Sequence, residues 1–173
     1  KAAKLWKMKV GFKKDGSITG RDIYMLLEAG AYASSAIVEL WVPLLIDEVL
    51  WRAPNYRYDA YLVYTNKTIS SMMRTRAHVG PMAMDVCLDQ VSETLGIDPI
   101  EIRLKNAMLP HEITPSKSVI TSSALSESIV MAAEKSGYKE KKGKLSKFKK
   151  GIGIGSGNMQ SMFYMGFRAG STA

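Results

Sequence analysis

Residues 95–106 read L-G-I-D-P-I-E-I-R-L-K-N, which places a helix ending, a helix cap and a second helix in one short stretch. Gly96 stands where a helix ends in a left-handed residue. Asp98 is placed to cap the next helix, with Pro99 in its first turn and Glu101 three residues on, a capping-box arrangement. I-E-I-R-L-K-N continues that helix, and Arg103 and Lys105 near its end suit the helix dipole. None of these charges calls for a catalytic role. Immediately upstream, M-A-M-D-V-C-L-D-Q-V-S-E-T-L carries Met84, Cys87, Leu88, Val91 and Leu95 on a 3.6-residue period, which predicts a helix running from just after Pro81 to Gly96. Cys87, the single cysteine, reads as a buried thiol of that helix.

Before this helix lies Val63–Met82, V-Y-T-N-K-T-I-S-S-M-M-R-T-R-A-H-V-G-P-M. It has two arginines, a histidine and a Gly-Pro break but no regular period. That profile predicts a loop held between packed elements, where binding residues concentrate. Residues 4–29 predict a hairpin turning at Asp15-Gly16, with alternate lysines toward water. E-A-G-A-Y-A-S-S-A follows, in which Gly30 permits close approach of the backbone to another element or to a ligand. Ala36–Leu50 predicts a helix in which Pro43 makes a kink or begins a second segment. Asp47 and Glu48 are sequence neighbours, a poor geometry for a carboxylate pair, and are expected at a solvated helix end. Arg52 is expected in an exposed turn. Y-R-Y-D-A-Y-L-V-Y predicts an aromatic strand leading into the loop.

Downstream, Leu109–Ser123 predicts an extended loop, and S-A-L-S-E-S-I-V-M-A-A-E-K-S-G a helix ended by Gly137. His111 lacks a second metal ligand at useful spacing. A basic linker through residues 139–150 opens onto G-I-G-I-G-S-G. That run lacks the spacing of a dinucleotide or P-loop fingerprint and predicts an apolar strand entering a new sheet.

An apolar share of 46% in 173 residues supports a real core. The net charge of +8 is concentrated in Lys1–Lys14 and Lys139–Lys150. Without a zinc-finger or RNA-recognition signature, or aromatic-basic alternation, nucleic-acid binding is the least favoured class. The longest apolar run, Leu40–Ile46, is too short to cross a membrane. The abrupt K-A-A-K-L-W start and F-R-A-G-S-T-A end are expected of an internal piece of a longer polypeptide.

K-V-G-F-K-K-D-G-S-I-T-G, E-A-G-A-Y, R-A-P-N-Y, V-Y-T-N-K-T, M-R, L-D-Q-V-S-E-T-L-G-I-D-P-I-E-I-R-L-K-N and K-G-I-G-I-G occur in this order across nearly the whole chain. Together they closely resemble the molybdopterin-binding region of the xanthine dehydrogenase and aldehyde oxidase family, the molybdenum hydroxylases. The resemblance implies an α+β fragment of a large-subunit cofactor-binding domain: a hairpin, an aromatic strand, three helices and a glycine-rich strand. Residues 1–145 would form a partial first lobe, and 146–173 a linker with the start of a second lobe.

The activity implied is oxidation of an aldehyde or N-heterocycle, with water as the oxygen source and a molybdenum-bearing molybdopterin as cofactor. A 2Fe-2S centre and FAD are implied on partner domains or subunits of a cytoplasmic hetero-oligomer. The family loop usually reads arginine-glycine-aromatic-glycine, then proline-glutamine. Counted from Thr65-Asn66, Arg74 falls on its arginine, Thr75 and Ala77 on its glycines and Arg76 on its aromatic, with His78 next.

Arg74, Thr75, Arg76, Ala77 and His78 are therefore the implied cofactor contacts. Arg76 is also a candidate for an anionic substrate, or for an ion pair or cofactor-phosphate contact with no substrate role. Counted back from the helix, Asp85 meets the family's glutamate and the loop is one residue short. The family's glutamine then has no counterpart, unless Val79, Gly80 or Met82 occupies its space. The family's general base and its glutamine-glycine cofactor motif lie outside the matched stretch, so no residue here is assigned as the base. Asp85 and Asp89 are expected to be structural. The alternative class is a degenerate, non-catalytic module of the same fold.

Overall fold

The computed structural model describes residues 3–33, 36–69, 79–144 and 150–157. Strand β1 (Lys4–Phe12) turns back into β2 (Ile18–Gly30), helix α1 (Ala36–Asp47) crosses over, and β3 (Tyr56–Tyr64) returns beside β2. Helices α2 (Val79–Leu95), α3 (Pro99–Asn106), α4 (Leu125–Ser136) and α5 (Tyr138–Lys141) follow. The sheet order is β1-β2-β3, with β1 antiparallel and β3 parallel to β2. The expected α+β class holds, with five helices among the described residues rather than three.

The hairpin turn forms as Asp15-Gly16 predicts. Gly16 takes φ +82°, a left-handed value that glycine adopts without a Cβ clash. The Ser17 amide donates to Asp15 Oδ1 and the Ser17 hydroxyl to Oδ2, each at 3.0 Å. With Lys105 nearby, these bonds hold the exposed Asp15 carboxyl down to about 2. Along β1 the exposed positions are Leu5, Lys7, Lys9 and Gly11, while Trp6, Met8, Val10 and Phe12 turn inward. β2 completes the covered face with Ile23, Met25, Leu27 and Ala29, all fully buried. Leu40 of α1 and Tyr58 of β3 close over Met25 and Leu27.

A second cluster joins Ile18 and Trp51 to Met84 and Leu88 of α2, Ile102 of α3 and Ile129 of α4. The stretch 95–106 builds this junction. Leu95 ends α2, Gly96 takes φ +67°, and Asp98 accepts from the Ile100 amide at 2.7 Å. Such caps stabilise a helix by about 1 kcal/mol. Asn106 then clasps the hairpin: its Nδ2 donates to Gly16 O at 2.8 Å and its Oδ1 accepts from Ile18 N at 2.9 Å. Lys105 adds a bond to Asp15 O at 2.6 Å.

Pro43 sits inside a continuous α1 rather than dividing it. Gly137 ends α4 with φ 62° as expected, and the bond pattern at the turn satisfies the last carbonyls. Residues 150–157 correct the strand expected there, because they join no sheet among the described residues. Ile152, Ile154 and Ser156 turn inward and the glycines outward, with Ile154 on the α2–α3 core.

Candidate functional site

The predicted binding residues Arg74, Thr75, Arg76, Ala77 and His78 fall in residues 70–78, outside the described residues. The structure describes the residues that flank that segment on both sides. At its start, Thr65 N donates to Gly30 O and Ala31 N to Lys67 O, both at 3.0 Å, continuing the β2–β3 ladder past the strand ends. Thr65 Oγ1 and Lys67 Nζ both reach Glu28 Oε1, at 2.9 Å each. Gly30 has φ +80°, and a Cβ there would lie 2.8 Å from Thr68 C and 2.9 Å from Ile69 Cα. The close approach that Gly30 permits is therefore to the chain at 68–69.

At the other end, Gly80 opens α2 against Asp47, the last residue of α1. A Cβ on Gly80 would lie 3.0 Å from Asp47 Cβ and 3.3 Å from Asp47 Oδ1. Of the three positions considered for the missing glutamine, Val79 and Gly80 are built into the first turn of α2 and Met82 is exposed.

Asp47 and Glu48 are both fully buried, which corrects the solvated helix end expected from sequence. Arg21 Nη1 donates to Asp47 Oδ2 at 2.7 Å and Tyr56 Oη donates to the same atom at 3.1 Å. Arg21 also lies over the Tyr56 ring, 5.0 Å from its centroid, and donates to Trp51 O. Burial raises the Asp47 carboxyl above its ordinary value, against the pull of Arg21 and the Tyr56 hydroxyl.

Glu48 accepts from the Ser116 amide at 2.9 Å and from the Ser116 hydroxyl, so the loop 109–123 closes on a buried carboxyl. Burial raises Glu48 above its ordinary 4.5, opposed by the Ser116 bonds. The folded chain thus keeps a proton at pH values where the unfolded chain has lost it. That stabilisation is complete below 4.5 and disappears as pH rises through the folded value. In Glu48→Gln the amide can donate to the Ser116 hydroxyl while its oxygen accepts from the Ser116 amide. Urea unfolding from roughly pH 4 to 8 is expected to show wild type losing stability relative to this variant as pH rises.

Asp85 and Asp89 are structural, as expected. Arg103, expected near the end of α3 to suit the helix dipole, is fully buried and reaches across to α2. Its Nη1 lies 2.7 Å from Asp89 Oδ1, and its Nη2 3.1 Å from Asp85 Oδ1. Ser156 N donates to Asp85 Oδ2 at 2.6 Å, so the glycine-rich strap is tied to the same carboxylate. Burial raises the Asp85 carboxyl, and its contacts with Ser156 and Arg103 pull it down. Arg52 is half-buried and pairs with Glu112 at 2.6 Å rather than standing in an exposed turn. Cys87 is half-buried, less enclosed than expected, with its thiol pushed up by burial.

The arginines among the described residues, Arg21, Arg52, Arg57 and Arg103, each pair with a carboxylate. The first turn of α2 carries no acidic residue, and the unbonded amides at such a helix start favour an anion. The described residues hold no cluster of three His, Cys, Asp or Glu that could bind a metal directly. His111 is exposed in the 109–123 loop with φ 69°.

An open groove of about 830 Å³ lies among Lys9, Gly11, Gly20, Asp22, Asn55 and Arg57. It sits at the start of β3, roughly 25 Å from that strand's other end at about 3.3 Å per residue. Among the described residues, no helix is long and apolar enough to cross a membrane.

Comparison with known proteins agrees with this architecture. The family described as "Molybdopterin cofactor-binding domain" matches residues 1–107. The chain is 32% identical over 135 residues to the nicotinate dehydrogenase large molybdopterin subunit of Eubacterium barkeri, covering 73% of this chain and 30% of that protein. It is 26% identical over 147 residues to the xanthine dehydrogenase of Dictyostelium discoideum, covering 83% and 11% respectively. The solved aldehyde oxidoreductase from Desulfovibrio gigas superposes with a TM-score of 0.67 at 26% identity, over 77% of this chain and 15% of that one. The chain thus spans less than a third of the length of each of these relatives. The hairpin, the parallel β2–β3 pair and the α2–α3 junction, together with the match over residues 1–107, identify the chain as a member of the molybdopterin cofactor-binding domain family of xanthine dehydrogenase and aldehyde oxidase large subunits.

Proposed function

We propose that this chain is the cofactor-facing part of a molybdopterin-dependent oxidoreductase that oxidises an aldehyde or an electron-poor N-heterocycle with oxygen taken from water. The observation that carries the proposal is the frame around residues 70–78. Within a family-matched fold, the residues that flank the segment are packed, Thr68 and Ile69 against Gly30 and Gly80 against Asp47, and the arginines among the described residues are engaged by carboxylates. When bound, the pterin-held molybdenum supplies the redox chemistry and the protein supplies position and charge.

In this proposal the Arg74 guanidinium pairs with the anionic part of the cofactor, and the Thr75 and Ala77 amides donate to it, with His78 beside them. Arg76 stands where a family aromatic would line the substrate pocket and favours an anionic substrate, such as a carboxylated heterocycle. The chain assigns no general base, so proton abstraction belongs to the rest of the subunit. The partners of this reading are that remainder, together with iron-sulfur and FAD domains or subunits in a cytoplasmic hetero-oligomer. Residues 1–145 form the first lobe, and 146–173 lead into the second.

The test is molybdenum and pterin analysis of the full-length assembly. Wild type is expected to contain both. Arg74→Ala is expected to lose the cofactor on dialysis about tenfold faster, the scale of one charge-assisted contact. A correctly assembled wild type lacking both metal and pterin overturns the enzyme reading and leaves a non-catalytic module of the same fold.

A further inference from the structure

Helix α1 leaves an apolar outer face exposed. Ile37, Trp41, Leu44 and Leu45 recur at i, i+4, i+7 and i+8, the spacing of a single helical stripe. Ile37 is 52% and Trp41 55% exposed, and the two leucines are half-buried. The inner side is apolar too: Ala36 and Leu40 pack on the sheet, and Val42 and Ile46 form a second buried cluster. The helix carries two charged residues, Glu39 and Asp47, and both are buried. Glu39 meets Lys4 of β1 at 3.4 Å, and Asp47 meets Arg21 of β2 at 2.7 Å. The outward stripe therefore carries no charge. Helix α4 shows what a water-facing helix looks like in the same chain, with Glu127, Glu134 and Lys135 on its exposed side.

A helix apolar on every side belongs to the interior of a larger protein. We propose that the Ile37–Trp41–Leu44–Leu45 face of α1 is a permanent packing surface, covered by an apolar surface from the remaining part of the same large subunit, with Trp41 as its anchor. The proposal rests on the proposed place of this chain in a longer subunit and not on the cofactor.

Length supplies the occupant. The chain spans less than a third of the relatives it matches, so most of a subunit of that kind lies outside these residues. The chemistry of the face agrees, because permanent interfaces resemble a domain core cut in half and their centres are depleted of charge. A lipid surface fits less well. Helices that lie on membranes carry Lys and Arg beside their apolar face, and α1 has neither.

Two measurements on the full-length assembly test this. In hydroxyl-radical footprinting, wild-type Trp41 is expected to oxidise about tenfold more slowly in the native assembly than in urea, as befits an interface anchor from which water is excluded. A Trp41 as open as its 55% exposure here would differ by only about twofold, and that result overturns the packing surface. Photo-cross-linking then identifies what covers it. Trp41→benzoylphenylalanine exchanges one bulky aromatic for another, and Ile37→benzoylphenylalanine gives the same readout one turn away. Cross-links are expected to peptides of the same subunit outside residues 1–173. Cross-links confined to residues 1–173, to a second copy in a mixture of isotope-labelled and unlabelled chains, to a separate iron-sulfur or FAD subunit, or to lipid overturn the proposed occupant. The expected cross-link in an assembly without molybdenum and pterin defeats the enzyme reading alone.

Discussion

Arg103→Met is expected to destabilise the fold by about 3–5 kcal/mol, the cost of removing one partner from a buried ion pair. The guanidinium holds Asp85 Oδ1, Asp89 Oδ1 at 2.7 Å and Pro99 O at 3.1 Å, and also reaches Ile154 O. Without it, Asp85 keeps only the Ser156 amide while its other oxygen stays enclosed. A loss of this size is a large share of the roughly 5–15 kcal/mol by which domains are stable. Urea unfolding checks it, and R103M/D85L is the control, because removing both charges leaves neither stranded. If R103M cost under about 1 kcal/mol, Asp85 would be shedding its charge by taking up a proton, the direction in which burial already pushes it.

The second large effect is expected at Gly30. An alanine there must adopt φ +80°, and its methyl group would meet the backbone of Thr68 and Ile69. The left-handed conformation costs roughly 1 kcal/mol, and forcing the backbones apart adds about 1–3 kcal/mol. We expect a total near 2–4 kcal/mol by denaturant titration. Because the displaced backbone leads directly into residues 70–78, cofactor retention should fall by more than the stability loss alone would produce. Retention unchanged in a folded Gly30→Ala protein would show that the start of the segment does not depend on this contact.

Local chemistry in the sequence was enough for the elements. Asp15-Gly16, Gly96, Asp98-Pro99 and Gly137 mark turns and caps through interactions with their immediate neighbours, and each appears where expected. Charged side chains that meet distant partners were not legible in this way. Asp47 and Glu48 look like a solvated helix end, and nothing near them announces Arg21 or Ser116. The available signal was their setting in L-L-I-D-E-V-L-W, where two acids interrupt an otherwise apolar run. Arg103 had a sufficient local explanation in the dipole of its own helix, which concealed its reach to α2. The glycine-rich strap has the alternation of a strand but no pairing strand among the described residues, a property no local pattern reports.

Asn106 also sets a timetable for synthesis. Its bonds to Gly16 and Ile18 span 90 and 88 positions, so the hairpin turn leaves the ribosome long before its clasp exists. At about 5–20 residues per second, the interval is roughly 5–20 s. Throughout it, Met8, Val10 and Phe12 on the inner face of the hairpin lack the completed α3 whose Ile102 shares their core. A nascent chain halted before residue 106 should therefore engage a hydrophobic-binding chaperone, and one carried just past it should release.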